Sequence, residues 1–214
     1  MLEIKIIIFD FDGTLFDSKK VIVNAVSHAL SKLGMEKKSD KEIIKYIGKG
    51  TGYLIENVSG LKDKSLIDKG VKYFDRYWNS NLTKESGLFP GVKRVLEHFK
   101  AKTMLVISNG SKKSIKKVLE NFGIEKYFKD IIPGDEDCMK PSSCPIEKVI
   151  NIEDRNQRTG TIIVGDMDID IKSGKEAGIR TCGVSYGIGK IKQIKSLKPD
   201  FIIDKITDLI KILK

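Results

Sequence analysis

The chain has 214 residues, 40% of them hydrophobic, which is enough to bury a core and too apolar for a disordered polyelectrolyte. Its 39 Lys and Arg exceed 29 Asp and Glu to give a formal charge of +10, but the cations are spread over nearly every predicted helix. That distribution fits a solvated lysine-rich surface that draws in small anions better than it fits a nucleic-acid footprint. No apolar run approaches the roughly 20 residues of a membrane span, and no secretory signal pattern is present, so a soluble, cytoplasmic protein is expected.

Short apolar runs alternate with helical periodicity along most of the chain, the pattern of a parallel sheet covered by helices. Strands are predicted at Lys5–Asp10, Met104–Ser108, Ile131–Ile132, Thr161–Gly165, Arg180–Val184 and Phe201–Ile203. Helices are predicted between and after them, at Val92–Lys100, Ser111–Phe122, Ile146–Asn151, Ile169–Ala177, Ile191–Leu197 and Ile206–Leu213. The stretch between the first strand and Met104 has no comparable strand and reads as helices at Lys19–Leu33, Lys41–Ile47, Gly52–Val58 and Lys64–Trp78. In the first of these, Val21, Ala25, His28, Ala29 and Leu33 recur at helical spacing and Gly34 supplies a stop. The fold class expected is α/β, a Rossmann-like parallel sheet core in two pieces, 1–16 and 87–214, around a helical insertion at 17–86.

Cys138, Cys144 and Cys182 are odd in number and form no CxxC clip, so reduced thiols are expected, with a Cys138–Cys144 pair as the minor alternative. With only His28 and His98, a histidine-based zinc site or a serine–histidine triad has almost nothing to build on.

Parallel sheets bind ligands beyond the carboxyl ends of their strands. Three predicted strands end in polar residues. The first runs through "IIIFDFDGTLFDS" to Asp10 and Asp12, the second ends in "VISNG" at Ser108, Asn109 and Gly110, and another ends in "IIVGDMDID" at Asp166, Asp168 and Asp170. Lys140 precedes Pro141 in the loop "CMKPSSCP". Carboxylates gathered at one mouth need a cation among them, and an all-oxygen donor set suits Mg²⁺, which is held by one or two carboxylates plus phosphate oxygens. Ser108 brings a hydroxyl, the Asn109–Gly110 turn brings backbone N–H groups, and Lys140 adds a point charge, all suited to phosphate. Each has a plainer reading: Ser108 and Asn109 as a helix cap, Lys140 as a surface lysine, Asp168 as a solvated loop acid, and Thr14, Asp17 and Ser18 as hinge and cap residues.

The set "DFDGTL", "ISNG", Lys before Pro, and "GDMDID" resembles the four motifs of the haloacid dehalogenase-like superfamily, in its phosphoglycolate phosphatase-like branch with a helical cap. The resemblance spans almost the whole chain. It implies a Mg²⁺-dependent phosphatase of small phosphorylated metabolites, with no nucleic-acid or membrane partner, acting as a monomer or homodimer. By position it makes Asp10 the nucleophile that becomes an aspartyl-phosphate and Asp12 the acid and base. Asp10, the Asp12 carbonyl and Asp166 are implied to hold Mg²⁺, with Asp170 supporting. Ser108, Asn109, Gly110, Thr14 and Lys140 are implied on the phosphoryl side, and Lys49 in "YIGKGTGYL" on the specificity side. Two positions depart from the family pattern. Gly110 stands where a Lys is common, which weakens a specific phosphoglycolate assignment, and Ser143 stands where a second proline is usual. Rival outcomes are a β-phosphoglucomutase-like mutase, a pyrophosphatase of the same superfamily, or a phospho-aspartate signalling module, which would be shorter and uncapped.

Overall fold

The computed structural model describes residues 3–135 and 137–214. In chain order the elements begin with β1 (Ile6–Phe9), β2 (Phe16–Asp17), α1 (Lys19–Lys32), α2 (Asp40–Ile44), α3 (Thr51–Ser59) and α4 (Lys64–Glu85). They continue with β3 (Gly87–Leu88), α5 (Val92–His98), β4 (Thr103–Ser108), α6 (Lys112–Asn121), β5 (Asp130–Pro133), α7 (Cys144–Glu147) and α8 (Arg155–Thr159). The last are β6 (Thr161–Gly165), α9 (Asp168–Glu176), β7 (Arg180–Val184), α10 (Ile191–Ser196), β8 (Phe201–Ile203) and α11 (Leu209–Ile212). Among the described residues two compact units form: 1–17 with 88–214, and 18–87.

The larger unit holds a six-stranded sheet in the order β5-β4-β1-β6-β7-β8, and each neighbouring pair is parallel. The chain builds outward on one side through β4 and β5, then returns to the other side of β1 through β6, so the order reverses beside β1. A crevice beyond the strand ends is expected at that reversal. Ile7, Ile8 and Phe9 in β1, and Ile162, Ile163 and Val164 in β6, are fully buried, because a central parallel strand is covered on both faces. On one face Ile8, Leu105, Ile107 and Ile163 pack with Ile146, Ile150, Ala177 and Ile179.

The second unit is helical. Its α1 packs chiefly on α4, with Val21, Ala25, Val26 and Ala29 buried on the first helix and Phe74, Trp78 and Leu82 on the second. Sequence periodicity ended α4 at Trp78, whereas the helix continues to Glu85. Leu82 extends the Phe74–Trp78 stripe by another four residues, and the Glu85 carboxylate accepts from Asn24 Nδ2 at 2.9 Å and from the Tyr77 hydroxyl at 2.8 Å. His28 is half-buried with its ring 5.2 Å from that of Tyr77.

The predicted helix at Ile146–Asn151 is instead the shorter α7, begun earlier by Pro145 in its first turn. The unpredicted α8 has no buried residue and thus no apolar stripe to read, and it is held at its start by Asp154, whose carboxylate accepts from Asn156 N at 2.8 Å. The cysteine expectation is corrected. Cys138 and Cys144 form a disulfide, with Cα atoms 5.4 Å apart, and only Cys182 is free among the described cysteines. Six residues of separation with an intervening turn bring the two Cβ atoms together, which spacing rules for metal clips do not address.

Candidate active site

Beyond the carboxyl ends of β1, β4 and β6 the structure brings together Asp10, Thr14, Ser108, Lys140, Asp166 and Asp170, each less than a tenth exposed. β1 delivers Asp10 as the residue after its last rung, where Asp10 N still donates to Val164 O at 2.8 Å. The chain then turns sharply: the N–H groups of Thr14, Leu15 and Phe16 all point at Phe11 O. Gly13 makes this turn possible twice over, since its φ of 88° lies in the left-handed region and any Cβ there would clash with the Asp166 carboxylate.

Lys140 is the hub, 1% exposed. Its ammonium donates to Asp10 Oδ1 at 2.5 Å, Asp170 Oδ1 at 2.6 Å and Ile107 O at 2.9 Å, so all three protons are engaged. The surface-lysine reading is therefore excluded. As it stands the ammonium serves the carboxylates, and a phosphoryl oxygen would have to replace one of these partners.

Asn109 engages the main chain of Lys140. Its side-chain amide donates to Lys140 O at 2.8 Å and accepts from Lys140 N at 2.9 Å, a two-point clasp on the main chain of the hub residue. Gly110 N donates to Ser108 Oγ at 3.1 Å, so this N–H closes a local turn; the Ser108 hydroxyl proton is not used in that bond. A Cβ on Gly110 would lie 3.4 Å from Ser108 Oγ and 3.6 Å from Asp12 Oδ2, which puts Asp12, half-buried, beside these groups.

Asp166 is fixed from three sides. Its Oδ2 accepts from Ile188 N at 2.7 Å and Gly189 N at 3.1 Å, and its Oδ1 accepts from the Thr14 hydroxyl at 3.1 Å. Asp170, in the first turn of α9, accepts from Met167 N at 2.9 Å through Oδ2 while Oδ1 meets Lys140. Both of its oxygens are thus engaged, which suits a supporting carboxylate. Asp168 is a solvated acid paired with Lys172 at 2.6 Å. Ser18 is the N-cap residue of α1 and its carbonyl accepts from Ile22 N at 2.9 Å, while its side chain makes no capping bond. Lys49 belongs to the helical unit, exposed, with its ammonium 5.1 Å from the centroid of the Tyr53 ring.

Burial raises the pKa of Asp10 to about 7; Lys140 works against that shift, and the neighbouring Asp166 and Asp12 charges add to it. Asp166 and Asp170 are likewise raised to about 6 by burial, Asp170 adding to the shift at Asp166 and Asp10 to that at Asp170. Burial alone would lower the Lys140 pKa, but Asp10 and Asp170 outweigh it and hold the ammonium charged. One oxygen each of Asp10, Asp166 and Asp170 can lie within 4.8 Å of the others. Three hard oxygen donors whose charges burden one another, with one lysine among them, fit a divalent cation of the Mg²⁺ type.

The sequence reading passed over "SYGIG" after β7, Ser185–Gly189. It supplies the two N–H groups on Asp166, and the Tyr186 hydroxyl donates to Thr14 O at 2.9 Å. The available signal was a pair of glycines at the carboxyl end of a parallel strand, where close backbone approach is common.

Comparison with known proteins bears on the same residues. A family profile described as haloacid dehalogenase-like hydrolase matches residues 7–184. A phosphoglycolate phosphatase of Aquifex aeolicus (strain VF5) is 35% identical over 212 residues, 98% of this chain and 96% of its own. A provisionally named pyrophosphatase, PpaX, of Caldanaerobacter subterraneus subsp. tengcongensis is 30% identical over 223 residues, covering 100% of this chain and 96% of its own. The crystal structure of a predicted phosphoglycolate phosphatase from Haemophilus somnus 129PT matches with a TM-score of 0.90 at 27% identity, covering 99% of both chains.

Proposed function

The chain belongs to the haloacid dehalogenase-like hydrolases and is a phosphatase, and on that premise we propose that it hydrolyses small phosphorylated metabolites, phosphoglycolate-like monoesters foremost, through an aspartyl-phosphate at Asp10 with Mg²⁺ as cofactor. The observation that carries the reading is Asp10 itself: a buried carboxylate at the strand-order reversal, 2.5 Å from a buried lysine and grouped with two further buried acids.

Attack requires Asp10 ionised, and burial opposes that. Lys140 offsets part of the cost and holds Oδ1, which leaves Oδ2, 3.5 Å from the Thr14 hydroxyl, as the less committed oxygen. As the Asp10 oxygen bonds to phosphorus the ester P–O bond breaks, and the Asp12 carboxyl gives its proton to the leaving alkoxide. Asp12, now ionised, takes a proton from water, which opens the aspartyl-phosphate to inorganic phosphate and restores both residues. Asp10, the Asp12 carbonyl and Asp166 would hold Mg²⁺, with Asp170 behind them, and the bound cation supplies neutralising charge for the phosphoryl oxygens. Ser108 is the donor we assign to those oxygens. In this reading the helical unit is a cap, and Lys49 is the residue we assign to leaving-group specificity.

Among the described residues no helix is long and apolar enough to cross a membrane; we place the enzyme in the cytoplasm as a monomer or homodimer. The PpaX relative makes pyrophosphate the one further substrate to weigh. The test is phosphate release from two- to six-carbon phosphoesters and pyrophosphate, with and without Mg²⁺. Turnover should need the cation and fall at least about 10³-fold in Asp10→Asn. Full activity in that variant would refute the nucleophile assignment, and an isomerised sugar phosphate in place of free phosphate would indicate a mutase.

A further inference from the structure

The Cys138–Cys144 disulfide closes a ring of chain that contains Lys140. Behind Lys140 the loop is well anchored: Ser173 Oγ donates to Ser142 O at 2.7 Å and Ser143 N donates to Glu176 Oε2 at 2.9 Å, both on α9. Ahead of it, Gly134 N donates to Ser108 O at 2.7 Å. Asp135 and Cys138 exchange two backbone bonds of 3.2 Å, and Asp135 makes a half-exposed ion pair with Lys148 at 2.9 Å. The disulfide is the covalent link that ties the stretch before Lys140 to the first residue of α7. Disulfides in a reducing cytoplasm are uncommon, and those that form there are usually catalytic or redox-sensing. Cys144 is half-buried, whereas Cys182 is fully buried with its thiol pKa pushed up to about 12 by burial, so it stays inert.

We propose that Cys138 and Cys144 are a thiol–disulfide modification site, read by dithiol reductants, that sets the seating of Lys140 and through it the rate of turnover. The turnover part rests on the phosphatase reading. A dithiol thiolate attacks one sulfur, the S–S bond breaks to free one cysteine, and its second thiol attacks the mixed disulfide and displaces the other cysteine. Both cysteines end as thiols, and the dithiol leaves as a cyclic disulfide, having given up two electrons and two protons. A disulfide oxidant reverses the exchange.

The test uses the full chain, oxidised with oxidised glutathione or reduced with dithiothreitol that is then removed. Amide hydrogen exchange over residues 137–141, measured without metal or substrate, should speed up about tenfold on reduction. Phosphoester kcat should fall about tenfold, the cost of a displaced Lys140. Cys138→Ser and Cys144→Ser should each match the reduced protein and ignore dithiothreitol, while Cys182→Ser keeps the response. Equal exchange in the two states, or equal kcat, overturns the proposal. Absence of hydrolysis in both states would instead remove the phosphatase reading, and the exchange measurement would still decide whether the disulfide seats the loop.

Discussion

Lys140 has all three ammonium protons engaged inside the protein, and its nearest carboxylates are otherwise in low-dielectric surroundings. Replacing it with an uncharged side chain of similar length leaves Asp10 and Asp170 buried without their cation, a change that costs about 3–5 kcal/mol in comparable buried pairs. Lys140→Met is therefore expected to lower stability strongly at pH 8. The two acids are already raised to about 7 and about 6, and without the lysine they rise further, so the folded variant takes up protons more readily than the unfolded chain. For a raised carboxylate, stability is retained at low pH and lost as pH climbs through the folded pKa. The deficit of the variant against wild type should thus shrink between pH 8 and pH 5, measured as the difference in urea midpoint. A deficit that grows toward pH 5 would contradict the pairing. Asn109 belongs to the same argument, since it touches the Lys140 main chain through both ends of its amide. Asn109→Ala should reduce kcat about tenfold with little change in KM, and should cost nothing further in the Lys140→Met background. Additive losses would return Asn109 to direct contact with substrate.

The strands were legible because a parallel sheet buried on both faces demands continuous apolar runs, and "IIIF" and "TIIVG" have no other good use. The residues at the ends of those strands were legible for the same reason, since a carboxylate there has only a crevice to enter. What could not be read were elements whose cause lies elsewhere in the chain. α8 buries nothing, α4 is prolonged by Asn24 and Tyr77 binding Glu85, and the loop after β7 acts through backbone N–H groups that no side-chain pattern records. That loop carries its own prediction. A Cβ at Gly187 would collide with the Asp166 side chain, so Gly187→Ala must displace either the loop or the carboxylate. Disturbing such an orienting shell typically weakens metal binding about 10–100-fold. Titration calorimetry with Mg²⁺ should show this loss while the sheet unfolds at a nearly unchanged temperature. An unaltered Mg²⁺ affinity would mean that Asp166 is not a ligand.

Across the whole molecule, the site places three raised carboxylates, at about 7, about 6 and about 6, in a chain whose remaining surface is strongly cationic. Near neutral pH the metal-free fold must either keep protons on these acids or tolerate their mutual repulsion. The unfolded chain, with ordinary carboxylates near pH 4, does neither. Because the folded pKa values lie above the unfolded ones, the metal-free protein should lose stability as pH rises from about 4 to about 7 and level off beyond it. A divalent cation reverses the sign of the local field. Binding it expels the protons, so Mg²⁺ affinity should strengthen by up to about tenfold per pH unit for each proton released below pH 6 and flatten above pH 7. The two curves are linked. Thermal midpoints measured with EDTA should decline over that range, those with saturating Mg²⁺ should hold steady or rise, and the gap between them should be widest at pH 8. A gap that is constant with pH would show that the cation binds away from Asp10, Asp166 and Asp170, and the cluster would then need another occupant to explain why so many acids are buried in one place.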